Sequence, residues 1–277
     1  MTLLTFAESL LAGSTTGFLS GLLGVGGGFI LVPLLTLLGM PIRQAVGTTL
    51  AFVACASLAG TVQHIRQGSI DLAVAWTLAV PAAVMTRISA HFIGHVSPAT
   101  YFLLFGVLLL AVTTLYHFYP MSPFQQSFTS TPYERVPWYV LCRHAKIANV
   151  SYGYKVNVIT AILSGLASGI LTGFFGVGGG FLLVPLGVML LHIPLQVAIG
   201  TCLAVAILPA WVGAFTHWQL GHVDVGVWVP LVVAGILSSQ FGARCVLRFH
   251  PELLKRLFLL VLLLGATYML ARGLLWD

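Results

Sequence analysis

Two blocks of this sequence are near copies, and both are of a kind that can hold an anion. Gly24–Leu34 reads GVGGGFILVPL and Gly176–Leu186 reads GVGGGFLLVPL, with ten of eleven positions identical at an offset of 152. Consecutive glycines permit a sharp turn and the close approach of a second backbone. The apolar stretch after them reads as a short helix. Its first N–H groups have no intrahelical partner, and its dipole places partial positive charge there. An anion is the natural partner of such an end. The residues singled out are Gly26, Gly27, Gly28 and Phe29 in the first block and Gly178, Gly179, Gly180 and Phe181 in the second. The plain alternative is that these glycines only let helices pack closely. A doubled block followed each time by a short helix favours binding. A dinucleotide-binding glycine loop is excluded, because no strand precedes the block and no acidic residue follows about 20 positions on.

The register of the copy extends beyond the glycines. After one extra residue the offset becomes 153, and Pro41, Ala45, Gly47 and Thr48 face Pro194, Ala198, Gly200 and Thr201. The hydroxyls of Thr48 and Thr201 can donate to an anion, or bond their own helix backbone. His64 faces His217, and histidine titrates near neutrality, so the pair can couple proton movement to another event. As polar residues at helix ends they need no such role. Asp71 and Asp224 read as N-caps, and Pro98 and Pro251 as first-turn prolines. Arg87 is the one cation expected inside the membrane, where such residues are functional candidates by default; snorkelling to the outer surface competes. Cys55, Cys142, Cys202 and Cys245 are scattered and imply neither a disulfide framework nor a metal site.

The elements that must position these residues follow from composition. Of 277 residues 58% are apolar and 6% charged, against roughly 25% charged in a soluble protein. This excludes a soluble enzyme, a disordered chain and a nucleic-acid binder, and leaves an all-α polytopic membrane protein. The apolar runs are continuous rather than alternating, which excludes a transmembrane barrel. The first forty residues hold no Lys or Arg, so the first apolar segment is expected to be retained rather than cleaved as a signal peptide.

The duplicated unit is about 110 residues long. Five apolar elements are expected in each copy: 9–23, 27–39, 42–65, 71–94 and 98–118, then 156–175, 179–191, 195–218, 224–247 and 251–274. The second element is too short to span comfortably, reaching only about 20 Å. It is expected as part of a re-entrant or broken pair, giving three or five crossings per unit. An odd number inverts the second unit relative to the first. Charge agrees: His91–Pro98 has no Lys or Arg, whereas its counterpart region carries Arg244, Arg248, Lys255 and Arg256. The expected organisation is a first transmembrane repeat over 8–118, a cytoplasmic connection over 119–155 and a second repeat over 156–275. Nine of twelve cations then lie inside, Arg43, Arg87 and Arg272 are left over, and both termini face outward. The connection holds Pro120, Pro123, Pro132 and Pro137. It reads as a solvated linker, or at Trp138–Ala148 as a short helix on the membrane surface.

The doubled glycine block and the downstream Pro-x-x-x-Ala-x-Gly-Thr resemble the signature of the sulfite exporter TauE/SafE family of membrane transporters, over essentially residues 10 to 275. The resemblance implies export or exchange of sulfite, organosulfonates or other small anions across the cytoplasmic membrane. One departure stands out: near the end of element four the second half has Gly242-Ala243, where the first has Thr86-Arg87-Ile88-Ser89-Ala90. The sequence reading is thus a secondary transporter of small anions working by alternating access. Its partners are a small anionic substrate and the lipid bilayer, with no nucleic acid, no cofactor and no metal, and a homodimer is left open. An anion channel and a scaffold subunit of a larger complex are the alternatives. A membrane enzyme is disfavoured, because no HExxH, GxSxG or paired carboxylate is present. No nucleotide-binding motif points to ATP coupling.

Overall fold

The structure is a computed structural model that describes residues 3–118, 137, 139–147 and 150–275. Among these residues it contains ten α-helices in two sets of five. The first set is α1 (Leu3–Leu23), α2 (Gly28–Leu37), α3 (Ile42–Arg66), α4 (Leu72–Ser89) and α5 (Pro98–Phe118). The second is α6 (Val158–Phe175), α7 (Gly180–Met189), α8 (Leu195–Gln219), α9 (Val225–Cys245) and α10 (Pro251–Leu274). Seven helices are long and apolar enough to cross a membrane, and α2 and α7 are short apolar helices of 10 residues. The outer surface is apolar, with Trp76, Val84, Leu104, Leu163, Leu237 and Leu264 exposed. The interior holds Thr48, Ser57, His64, Ser168, Thr201 and His217, all buried. This polarity, greasy outside and hydroxyl-bearing within, belongs to a helical protein solvated by lipid.

In lipid, helices gain little from burying more apolar surface, so close approach through small residues decides which helices pair. Two seams are built this way. Along α1, Gly13, Gly17 and Gly21 sit against the backbone of Leu231, Gly235 and Ser239 on α9. Along α6, Gly165, Gly169 and Gly173 sit against Leu78, Ala82 and Thr86 on α4. Both series rise together, so each pair runs parallel. Each pair also exchanges partners between the halves: the first helix of one set packs on the fourth of the other. Across α3 and α8 the order reverses, with Gly60 against Leu203 and Gly213 against Leu50. The same holds for α5 and α10, where Gly106 meets Leu270 and Gly273 meets Leu103. Corresponding helices of the two halves therefore run antiparallel where they touch.

Ser89-Ala90 stand at the positions matching Gly242-Ala243, and Gly173 packs on both. The small residues that seemed missing from the first half are present, and the exposed Arg87 lies beside them.

Residues 119–136, with Pro120, Pro123, Pro132 and Arg135, lie outside the described residues, as do Trp138 and Ala148. The surface helix read as the alternative to a solvated linker over Trp138–Ala148 is not formed among the described residues 139–147. Its described part belongs to a hairpin, β1 (Val140–Ile147) with β2 (Val150–Asn157), antiparallel with Arg143 opposite Tyr154. The reason is legible in β2, where Tyr152, Tyr154 and Val156 alternate with Ser151, Gly153 and Lys155, a period of two. Tyr154 and Val156 are buried. Asn157 then caps α6, its Oδ1 accepting from the N–H groups of Ile159 and Thr160.

The seams carry a prediction. A methyl group on Gly169 would meet the Ala82 backbone, whereas one on Gly94 would meet open space. Gly169→Ala is expected to destabilise by about 1–3 kcal/mol through overpacking, and Gly94→Ala by less than about 0.5 kcal/mol. Thermal unfolding of the two variants in one detergent measures the difference.

Candidate functional site

The chain leaves helical geometry at the two glycine blocks. Gly24, Gly26, Gly27, Gly176, Gly178 and Gly179 all have φ between 71° and 82°, a region that side chains with a Cβ avoid. Gly27 and Gly179 are the N-caps of α2 and α7, and neither helix has a side-chain cap. Gly26 lies beside Val53 and Ser57 of α3 and Ala206 of α8, and Gly178 beside Val53. Both breaks are thus level with the middle of the two longest helices. They also interlock: Gly28 packs on the backbone of Gly176 and Val177, and Gly180 on that of Gly24 and Val25. Phe29 and Phe181 are fully buried and stack on each other, with centroids 6.3 Å apart and planes at 23°. The predicted glycines and phenylalanines of both halves are brought to one place.

Around them stands a set of hydroxyls that the sequence reading missed. Thr16 and Ser20, one turn apart on α1, close on Gly27. Ser168 and Thr172, one turn apart on α6, close on Gly179. These pairs are equivalent at the offset of 152 that relates the glycine blocks. Ser57 closes on Gly26. Thr172 donates to the Ser168 carbonyl at 2.8 Å. The hydroxyls of Thr16, Ser20, Ser57 and Ser168 are buried and make no hydrogen bond among the described residues. A buried polar atom left unpaired costs free energy, and here four side chains that carry one surround two helix N-termini. None of the side chains closing on Gly26, Gly27, Gly178 and Gly179 carries a charge. The arrangement offers O–H and N–H donors with partial positive charge, which suits a small anion that must also leave. The missed signal was a Thr/Ser pair at i, i+4 preceding each glycine block at equal distance.

The remaining predicted residues lie elsewhere. The Thr48 hydroxyl accepts from the Asp224 N–H, and that of Thr201 from the Asp71 N–H, each at 3.0 Å. They tie α3 to the start of α9 and α8 to the start of α4, neither of the two roles read from sequence. Arg87 sits exposed in the last turn of α4 and is not brought to the glycine breaks. His64 and His217 are buried at the ends of α3 and α8. His64 Nε2 lies 3.2 Å from the Gly21 carbonyl and Nδ1 2.9 Å from Ser69 Oγ. His217 Nε2 lies 3.2 Å from the Gly173 carbonyl and Nδ1 3.2 Å from His222 Nδ1. Each histidine thereby contacts the residue next to Ser20 or Thr172. No group of three or more metal-ligating side chains occurs among the described residues.

Asp71 and Asp224 are N-caps as expected, accepting from the N–H groups of Ala73 and Val74 and of Val227 respectively. Asp71 does more. Arg143 of the hairpin grips its carboxylate through Nε and Nη2 at 2.8 and 2.9 Å, and Tyr154 donates its hydroxyl at 2.8 Å. Burial alone would raise the Asp71 pKa, but the Arg143 and Tyr154 hydrogen bonds outweigh it and hold the carboxyl below its usual range. The Tyr154 phenol is pushed up by burial and by its bond to Asp71.

The sequence profile of the family described as "Sulfite exporter TauE/SafE" matches residues 9–269. The chain is similar to the "Probable membrane transporter protein YunE" of Bacillus subtilis, 21% identical over 98% of this chain and 99% of the relative. It is 28% identical to a "Probable membrane transporter protein" of Xylella fastidiosa, over 99% and 98% of the two chains. A "Probable membrane transporter protein MJ0441" of Methanocaldococcus jannaschii is 24% identical over 94% of each.

The hairpin clasp predicts an acid dependence. A carboxyl with a depressed folded pKa contributes stability above its unfolded value, about 3.9. That contribution is lost as pH falls through the folded value. Arg143 is about a third exposed, so screening holds the effect of Asp71→Asn to about 1 kcal/mol at neutral pH. The difference in melting temperature between wild type and D71N is expected to shrink to nothing on acidification well below the usual carboxylate range.

Proposed function

The chain belongs to the sulfite exporter TauE/SafE family, and we propose that it is a secondary carrier that moves small anions by alternating access. It is a membrane transporter of that family's type, and the family is one of transporters rather than enzymes. The proposed site is the central cradle: the N-termini of α2 and α7 at Gly26–Phe29 and Gly178–Phe181, with Thr16, Ser20, Ser57 and Ser168. Sulfite and organosulfonates are the proposed substrates, because their oxygens can accept several donors at once. The observation that carries this reading is the set of four buried, unpaired hydroxyls at two opposed helix N-termini.

The proposed frame is a pair of inverted repeats, 8–118 and 156–275, joined by a cytoplasmic connection over 119–155. The antiparallel contacts of α3 with α8 and of α5 with α10 support it. So does the level of the breaks, since α2 leads from the middle of α3 back to its start. On this reading α1–α2 and α6–α7 are re-entrant pairs and each repeat crosses three times. Charge supports the orientation. The Gln67 side chain donates to the Ala243 carbonyl, Arg244 contacts Gln63, and Arg143 grips Asp71. Arg66, Arg143 and Arg244 therefore share one face, placed in the cytoplasm by the positive-inside rule. Both termini then lie outside. Backbone-to-backbone contact between the breaks favours a carrier over an open channel.

Hydroxyl deletion tests the site without disturbing the glycines. In the absence of anion, Thr16→Val, Ser57→Ala and Ser168→Ala are expected to leave stability equal or raised, since each removes an unpaired buried polar atom. With sulfite present, each should weaken anion-dependent thermal stabilisation, by about 1.5 kcal/mol or roughly tenfold in Kd. Unaltered stabilisation in all three variants, or none in the wild type with sulfite and a panel of sulfonates, would overturn the assignment.

A further inference from the structure

One difference between the two halves changes what a buried histidine meets. Ser69 and His222 correspond at the offset of 153, and each faces the buried histidine that ends the preceding helix. A backbone carbonyl only accepts, so the Nε2 of His217 beside the Gly173 carbonyl carries the hydrogen. Nδ1 of neutral His217 is then an acceptor. The His222 Nδ1 that meets it at 3.2 Å must donate. This fixes the neutral pair: His217 as the Nε2–H tautomer, His222 as the Nδ1–H tautomer, and His222 Nε2 bare.

We infer that His217 and His222 form a site for a single proton, and that this site couples proton movement to anion transport. The proton adds to His222 Nε2. His222 becomes an imidazolium whose Nδ1–H still donates to His217, now as a charge-assisted bond. A second proton has no place, because on His217 Nδ1 it would set two N–H groups against each other. In the first half His64 meets Ser69 instead, and both are fully buried, whereas His222 is only half-buried. Proton access is therefore built into one face of the molecule.

The groups around the pair are few. His91, in the turn after α4, and Arg43, at the start of α3, act on it electrostatically. His91 Nδ1 lies 2.9 Å from the Arg87 carbonyl, and Arg43 donates to the Gly94 carbonyl at 2.9 Å. Asp224, two residues on, caps α9. From α6 the Gly173 carbonyl faces His217. Burial first, and then Arg43, lower the His222 pKa below its ordinary value, which places protonation on the acid side of neutrality.

The path from proton to cradle is short. Gly173 follows Thr172, which closes on the cap of α7. The His222 carbonyl packs on Gly47, next to Thr48, and Thr48 holds the start of α9. Charging His222 thus acts on α6, α3 and α9 together.

This inference rests on the carrier reading, and two measurements separate them. In nanodiscs, ¹⁵N-histidine NMR of the full chain from neutrality down into the acid range is expected to show His217 and His222 taking up one proton between them. The variant H222S, which installs the serine that the other half uses, should abolish that titration. Two independent protonations, or a spectrum unaltered by H222S, would overturn the site. In proteoliposomes, uptake of a radiolabelled sulfonate, whose charge is fixed over this range, is expected to rise at least tenfold with an imposed pH gradient, and H222S should lose that rise. Gradient-driven uptake that survives in H222S would overturn the coupling. A wild type that titrates as a one-proton pair yet moves no sulfonate would overturn the carrier reading and leave the proton site standing.

Discussion

Backbone that leaves the helix inside a bilayer must find its partners within the protein, and the whole architecture answers to that constraint. Two stretches, each containing three glycines at positive φ, break the helix and restart it as α2 or α7 from the level of the middle of α3. Neither stretch can face lipid. Each is covered by the other, with Gly28 on Gly176–Val177 and Gly180 on Gly24–Val25. Side chains at these positions would force the backbones apart, so glycine here serves the contact as much as the turn. The stacked Phe29 and Phe181 then anchor the two short helices to each other just past their caps.

Bringing the breaks together requires that the halves interpenetrate. The helix before each break packs on the fourth helix of the other half rather than its own, through glycines spaced four apart on α1 and α6. The buried polar contacts follow the same exchange. Ser239 donates to the Ala56 carbonyl, Thr86 and Ser89 to the Gly169 carbonyl, and the start of each fourth helix to a threonine of the opposite half. A half alone would expose both its small-residue seam and its break. The cradle is therefore a property of the pair, and the duplication is a condition of its existence.

Much of this was legible in the sequence, because duplication writes the same physics twice. The glycine blocks, the five elements per half and the capping aspartates are all local or repeated signals. The hydroxyl pairs Thr16/Ser20 and Ser168/Thr172 were equally repeated, but one Ser or Thr in an apolar run is ordinary. Only the fold reveals that these side chains close on a helix N-cap, and that Thr16, Ser20 and Ser168 have no hydrogen-bond partner among the described residues. The hairpin was misread because prolines and a short apolar run outweighed a period-two pattern in β2. The grip of Arg143 on Asp71 joins residues 72 apart, a distance at which charge pattern says nothing. Thr48 and Thr201 were placed rightly on α3 and α8 but wrongly paired, since their partners are backbone N–H groups and leave no trace in residue type.

What duplication does not copy is as informative as what it does. At the breaks the halves agree almost residue for residue. At the two ends of the central helices they diverge: Ser69 against His222, and an aspartate gripped by Arg143 and Tyr154 against Asp224, whose carboxylate caps α9. Two halves alike in every side chain would make the states open to either face equal in energy. A ligand or proton shifts such an equilibrium only by interacting differently with the two states. On the proposed alternating-access reading, the near-identical glycine blocks keep one site for both states, while diverging at the ends gives each state its own contacts. On that reading, the clasp on one face and the histidine pair on the other are two elements that can make the two states unequal.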